Sequence, residues 1–396
     1  MRKILWAMAL LAAFAGNASA EQPNVQIYGL IDLGLTHFTG LATGSSAAGS
    51  PTGSSTGLSS GAQSGSRLGI KGHEDLGNGV QVLFVAETGF CAAGLSQDQK
   101  VGVAGNPGGS SCSGGAFMQR QAFVGVHGRF GTLSAGRMYT PMFHNEAAMD
   151  PFGYGLNGDI NNLSIVGKQS GGLLIRANQS LTYTSPTLSG LSGTLSFSFA
   201  PTAGGTVPAA VAKDSRVPRS WTAEGRYASG PLTAGLAYLE LRNSTLGLAS
   251  NGVDSGGIKV WQAFGAYDFG VARLRALYEK ASGDYAFGTT TGVAGGGQRF
   301  WMLGVSVPVG PGEILASYDV ATIDPNGVFT KQVGTARQYA LGYTYALSKS
   351  TNLYASYGHI GNDARTSFAN QSNADAFAGV DGQSSSGMAV GIRKLF

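Results

Sequence analysis

Apolar and polar residues alternate with a period of two along most of this chain, and that pattern limits what it can fold into. In "TARQYALGYTYAL", Tyr339, Leu341, Tyr343 and Tyr345 point one way, and Gln338, Ala340, Gly342 and Thr344 the other. In "VARLRALYEK", Leu274, Ala276 and Tyr278 oppose Arg273, Arg275 and Glu279. In "RANQSLTY", Leu181 and Tyr183 oppose Arg176, Asn178, Ser180 and Thr182. The last residues, "MAVGIRKLF", set Met388, Val390, Ile392 and Phe396 against Ala389, Gly391 and Arg393. Successive side chains of a strand point to opposite faces, so each segment reads as a strand between two unlike environments.

Sixteen such segments are expected, at 25–38, 64–75, 80–90, 117–127, 132–139, 176–185, 191–200, 219–228, 232–242, 257–268, 271–282, 298–307, 313–322, 336–347, 351–360 and 386–396. Parity is poor in 117–127 and 132–139. Short connections such as "LGNG", "HGRFG", "SGP", "DFG" and "LSKS" alternate with long ones. Alternating strands of roughly ten residues, with short turns at one end and long loops at the other, are the signature of an outer-membrane barrel.

Composition agrees. Charged residues make up 12% of the chain and glycines number 63 of 396. A soluble domain carries about 25% charged residues and about 7% glycine. Residues 1–20 read as a secretory signal peptide: Arg2 and Lys3, an apolar run from Ile4 to Ala15, then Ala18-Ser19-Ala20. The mature domain is expected to span 21–396. Removing Arg2 and Lys3 takes the formal charge from +4 to +2, and no basic run with interleaved aromatics suggests nucleic acid. After Ala20 no stretch approaches the roughly 18–20 apolar residues of a spanning helix. Periodicity alone does not say which face is outside. The signal peptide, the even strand count and the turn asymmetry decide for a transmembrane barrel over a soluble sandwich. Its outward side chains are then apolar and its inward ones polar or small. Tyr, Phe and Trp near strand ends fit an aromatic girdle.

Cys91 and Cys112 both lie in a glycine- and serine-rich segment. Export permits a disulfide between them, and nothing nearby supplies the further ligands of a metal site. The five histidines, at 37, 73, 127, 144 and 359, form no ligand pair. "GLSSG" at 57–61 matches the hydrolase elbow and "GYGLNG" at 153–158 the dinucleotide fingerprint. Neither has the strand–turn–helix setting its chemistry needs. No catalytic set, cofactor site or metal site is expected, and an enzyme built on a barrel rim finds no nucleophile, base and acid to assemble.

"VQIYGLIDLGL", "SRLGIKGHEDLGNGVQVLFVAETGF", "RQAFVGVHGRFGTLSAGRMYTP", "MDPFG", "NQSLTYTSP" and the terminal "GIRKLF" together resemble the trimeric general porins of β-proteobacterial outer membranes. The resemblance covers essentially the whole mature chain. It departs in the two cysteines and the length of the second long loop. It implies an all-β, sixteen-stranded antiparallel transmembrane barrel, a homotrimer, and a third long loop, about 140–175, folded inward to narrow the channel. By motif it implies a basic wall of Arg67, Arg120 and Arg176. Alternation also puts Arg67, Arg176 and Lys71 on the polar side, whereas Arg120 rests on the resemblance alone. Glu146, Asp150 and Asp159 on the loop are expected to oppose this wall across the throat. Arg273, Arg275 and Arg393 are expected in the lumen, with Asp32, Glu87 and Glu279. The terminal Phe396 is implied to be read by the barrel-assembly machinery. Outer-membrane lipid and lipopolysaccharide are implied as surroundings, and small hydrophilic solutes and ions as cargo. The expected activity is passive diffusion with a modest anion preference. The alternative is a channel specific for a sugar or organic anion, with Phe143, Phe152 and Tyr154 starting an aromatic track.

Overall fold

The computed structural model describes residues 24–93, 117–169, 174–200, 219–242, 258–283, 297–324, 333–371 and 377–396. Among them, seventeen strand segments form one sheet. They are β1 (Asn24–Ala42), β2 (Thr52–Ser60), β3 (Arg67–Asp75), β4 (Gln81–Gly89), β5 (Gln121–Gly128), β6 (Gly131–Tyr139), β7 (Arg176–Thr184), β8 (Leu191–Ala200), β9 (Arg219–Ser229), β10 (Leu232–Arg242), β11 (Ile258–Asp268), β12 (Arg273–Gly283), β13 (Gln298–Val309), β14 (Gly312–Ile323), β15 (Gly334–Ser348), β16 (Thr351–Asn362) and β17 (Ser385–Leu395).

Every pairing is antiparallel, and β17 pairs with β1 from Leu30↔Leu395 to Thr39↔Ser386. The sheet therefore closes, which leaves no unpaired edge in lipid. The first half of β1 pairs with β3, Asn24↔His73 to Leu30↔Arg67, and its second half with β2, Leu33↔Ser60 to Ala42↔Thr52. β2 and β3 thus lie end to end and fill one wall position, giving a barrel of sixteen strands. β2 has no counterpart among the expected strands. Its sequence, "TGSSTGLSS", offers only Leu58 as an apolar signal. Ser59, the centre of the elbow-like motif, lies inside β2 with its Oγ 2.7 Å from Thr36 Oγ1.

The outer face carries exposed Ile27, Leu35, Trp261, Leu303, Leu341 and Val390, as a lipid-facing wall requires. The inner face differs from the expectation along part of the wall. Leu239, Leu241, Ile258, Val260, Phe264, Leu277, Phe300 and Met302 point inward and are buried. They pack against Met142, Met149, Ile160, Leu163 and Ile165 of the segment between β6 and β7. Loop and wall therefore share an apolar core inside the barrel. Burying a large apolar side chain stabilises by about 1.5–3 kcal/mol relative to leaving it exposed, so this core is what seats the loop.

The poor parity of 132–139 has a local cause. The β6–β7 register shifts between Gly136 and Met138, a β-bulge. Gly136 sits at φ +143, and a Cβ there would meet the Ala122 carbonyl oxygen at 2.3 Å. Beyond the bulge, the Arg137 side chain hydrogen-bonds the Gln119 carbonyl oxygen (2.6 Å) and Asn178 Oδ1.

Candidate functional site: the loop and the basic wall inside the barrel

The long loop leaves β6 through a helix, α1 (Pro141–Met149). Thr140 caps it, its Oγ1 accepting from Phe143 N at 3.2 Å, and Pro141 opens it with φ already set for a helix. Thr140 also closes the neck of the loop: its Oγ1 donates to the Leu174 carbonyl (2.6 Å) and its N–H to that of Ile175 (3.0 Å). Asn145 reaches the opposite wall. Its amide donates to Gln262 on β11 (2.8 Å) and Glu224 on β9 (3.2 Å), and Arg226 donates to its carbonyl oxygen at 2.5 Å. Further on, Asn162 donates to Gln338 on β15 (2.8 Å) and the Ile165 amide to Glu279 on β12 (2.9 Å).

The tip, 152–158, is clamped from two more directions. The Leu156 amide donates to the Ala62 carbonyl at 2.6 Å, in the bend between β2 and β3. That bend is held by Asp32, whose carboxylate accepts from Gln63 N (2.9 Å), Ser64 N (2.6 Å) and Tyr354 Oη (2.6 Å). Asn157 Nδ2 donates to Asn370 Oδ1 at 3.0 Å, Asn370 Nδ2 donates to the Asn157 backbone carbonyl at 2.9 Å, and Ser356 donates to Asn157 Oδ1 at 2.8 Å. Asn370 belongs to the last long connection, between β16 and β17, which therefore also turns inward. Gly358 makes this approach possible, since a Cβ there would meet the Asn157 carbonyl oxygen at 2.1 Å.

The three loop carboxylates do not face the arginines as expected from sequence. Glu146, Asp150 and Asp159 are buried, at 0%, 4% and 0% exposure. Glu146 accepts from Tyr154 Oη at 2.9 Å and lies beside Glu279. Asp150 accepts from the amides of Phe152 (2.8 Å), Tyr154 (2.8 Å) and Ile160 (3.2 Å). Asp159 caps the next short turn through Asn161 N at 2.8 Å. Their oxygens are used to fold the loop, because the tip's backbone amides have no strand partner and must be satisfied internally.

The expected basic wall divides into two groups. Arg120 and Arg176 are buried and meet at one phenol: Arg120 Nη2 donates to Tyr139 Oη at 2.8 Å and Arg176 Nη2 at 3.0 Å. Arg176 also lies over the Tyr139 ring, 4.6 Å from its centre, and that ring stacks on Phe143 of α1 at 4.4 Å. Arg120 Nε pairs with Glu87 at 2.8 Å, and Tyr28 donates to the same carboxylate at 3.0 Å. These arginines clamp the root of the loop. Arg67 and Lys71, on the inner face of β3, stay accessible: Arg67 is half-buried and Lys71 exposed, its Nζ 5.3 Å from the centre of the Tyr28 ring. Arg273, Arg275 and Arg393 are half-buried on the inner face, as expected, and Glu87, Glu279 and Asp32 lie on that face but buried. Sequence reasoning missed Tyr139 and Arg137, both in "GRMYTP". The glycine before Arg137 was the available signal, as a bulge former.

Phe396 ends the chain at the barrel seam, exchanging backbone hydrogen bonds with Gly29 at 3.0 and 3.1 Å. Cys91 is in a disulfide. Cys112 and the expected signal peptide, 1–20, lie outside the described residues.

A family model of Gram-negative porins matches residues 7–365. The chain belongs to the Gram-negative porin family. An outer membrane porin protein of Bordetella pertussis is 32% identical over 428 aligned residues, covering 100% of both chains. Among solved structures, the anion-selective porin from Comamonas acidovorans matches with a TM-score of 0.71 and 25% identity, covering 95% of this chain and 100% of that one. The trimer form of OmpT from Vibrio cholerae matches in fold, with a TM-score of 0.63 at 16% identity over 95% of this chain and 100% of that one. This porin is an outer-membrane protein that forms a passive channel, and its family consists of channels rather than enzymes.

The buried loop acids give the porin a pH signature. Burial lifts the Asp150 carboxyl to about 6, against the pull of its three amide donors. Burial, with Glu279 beside it, lifts Glu146 well above the usual carboxylate range. In the unfolded chain such groups lose their protons near pH 4. Between about pH 4 and about 6 the seated loop thus binds more protons than the unseated one, and its stability falls as pH rises through that window. Amide exchange of 150–160, corrected for intrinsic rate, is expected to be slower at pH 4 than at pH 7. Equal or faster corrected exchange at pH 4 would contradict this.

Proposed function

We propose that this channel prefers anions and takes small hydrophilic solutes without a dedicated binding site. One observation carries the reading: the carboxylates of the loop and its seat are buried, whereas five cations on the inner wall stay accessible, with half-buried Glu313 on β14 a carboxylate among them. Arg67, Lys71, Arg273, Arg275 and Arg393 are wholly or partly accessible, whereas Glu146, Asp150, Asp159, Glu279 and Asp319 are buried. A buried, internally bonded carboxylate meets the permeating ion through protein. An accessible guanidinium or ammonium meets it through water or direct contact. Rings of accessible charge of one sign select ions of the other. The name of the Comamonas neighbour, an anion-selective porin, points the same way.

The aromatic track that a specific channel would need lacks support. Phe152 and Tyr154 are buried, and Phe143 stacks on Tyr139 at 4.4 Å and meets Tyr154 edge-on at 4.7 Å. These rings pack the loop and leave no continuous surface for a sugar to slide on. Liposome swelling with neutral sugars of graded size tests this half of the reading. Uptake should fall smoothly with size. Saturation by one sugar would favour the specific channel.

A homotrimer, the form in which the Vibrio neighbour is described, is the proposed assembly. A monomer with full conductance in native mass measurements would remove that claim. The proposed partner of Cys91 is Cys112. Cross-linking of this length stabilises by about 3 kcal/mol in the chain-entropy model. The unreduced mature chain should weigh two hydrogens less than the reduced one, and a tryptic digest should join the two cysteine peptides. Free thiols at both positions would refute the bond.

A further inference from the structure

The helix α1 shows one face to the wall and another to the channel. Met142, Asn145, Glu146 and Met149 are buried, at the spacing of a helical stripe. On the other side only His144 and Ala148 are exposed, one turn apart. Because α1 packs on β9–β12 from inside the barrel, that side looks into the lumen. His144 is thus the one titratable side chain that the helix presents to a permeating ion. Its ring meets Tyr139 edge-on, 5.7 Å between centres, and makes no hydrogen bond or ion pair among the described residues.

The charges around it are already engaged. From β6, Tyr139 takes Arg120 and Arg176 on its phenol. From β9, Arg226 is paired with Glu224 at 3.1 Å. β10 turns Ala237, Leu239 and Leu241 inward and β11 turns Gln262, none of them charged. From β12, Glu279 is buried and accepts from Gln262 (2.9 Å) and the Ile165 amide (2.9 Å). Ile165 and Val166, after the tip, carry no charge. On the loop itself, Glu146 and Asp150 are buried and bonded within it. Crowding by these neighbours, and then the charge of Arg226, hold His144 below the ordinary imidazole value of 6.5, so it is neutral at pH 7. Acid adds a positive charge here, where Arg226 and Glu224 otherwise cancel.

We propose that His144 is a specificity-determining residue of the channel: exposed on the lumen face of α1, its imidazole adds a cation to the loop side when protonated and strengthens the preference for anions. The inference deepens the anion reading proposed above but is read separately. It concerns the change of selectivity with pH, whose direction is the same whichever sign the selectivity has at neutral pH.

Zero-current potentials under a potassium chloride gradient at low salt, taken from about pH 7.5 down to about pH 4.5, test the proposal. The unmodified porin should gain about two- to fivefold in anion-to-cation permeability ratio over that range, the scale of one charge met through water at about 4 Å. His144→Gln should lose most of that gain. Protonation of Asp150 occurs in both chains and cancels in the comparison. His144→Lys should show the raised ratio already at about pH 7.5. Both variants replace an exposed, unbonded ring, so the barrel should assemble as before. A His144→Gln chain that keeps the full acid gain, or a His144→Lys chain with the unmodified ratio at neutral pH, would overturn the proposal. A porin that prefers cations at neutral pH, yet moves toward anions in acid only when His144 is present, would contradict the anion reading and support this one.

Discussion

Replacing Arg67 and Lys71 together by glutamine is expected to lower the anion-to-cation permeability ratio by roughly five- to thirtyfold at low salt. Both side chains are accessible on the inner face of β3, and Arg67 has no ion-pair or hydrogen-bond partner among the described residues. A charge about 4 Å from a permeating ion in water is worth about 1 kcal/mol, and two such charges act here. The effect should shrink as salt rises, because the screening length falls from about 10 Å at 0.1 M to about 3 Å at 1 M. The contrasting variant is Arg120→Gln. Arg120 is spent on Glu87 and Tyr139, so its loss should loosen the loop root more than it changes selectivity. If Arg120→Gln shifted the reversal potential more than the Arg67/Lys71 pair, the division of the wall into accessible and clamping arginines would be wrong.

Asp150→Ala should release the tip of the loop. The substitution leaves the amides of Phe152, Tyr154 and Ile160 without their acceptor in a buried setting. Each unsatisfied buried donor costs about 1–3 kcal/mol, so the loss is several kcal/mol, enough to compete with the apolar seating of the loop. Single-channel conductance should rise and its current noise increase, while the wall pairings of the barrel, which do not involve Asp150, keep its melting temperature close to the unmodified value. Asp150→Asn retains one acceptor oxygen and should fall between the two. Unchanged conductance in the alanine variant would mean that the loop is held without this carboxylate.

The barrel was legible in the sequence because each wall strand sees lipid on one side. That writes period two into segments such as "GYTYAL" and "RLRALYEK". β2 was not legible, since "TGSSTGLSS" carries almost no apolar residue to alternate. The inner face of β10–β13 was misread for the opposite reason. Leu239, Val260, Phe264 and Met302 are apolar although they point inward, because the loop covers them. Residue type reports the neighbour, and that neighbour lies far away in sequence. The same distance hid the roles of the charged groups. Alternation places Arg176 on the inner side, but only the β6–β7 register shows that it faces Tyr139. Acidic residues on a loop read as solvent-facing, yet Asp150 is turned inward to satisfy amides four and ten residues downstream.

On the proposed reading, accessible cations, unopposed by the buried loop carboxylates, set the sign of selectivity. The most direct test is the zero-current potential of the unmodified porin in a planar bilayer under a potassium chloride gradient at neutral pH. The potential should carry the sign of chloride preference and decline as mean salt concentration rises. A potential of the opposite sign would mean that Glu146, Asp150 or Asp159 governs the throat despite its burial, and the account of the loop and wall given above would fail.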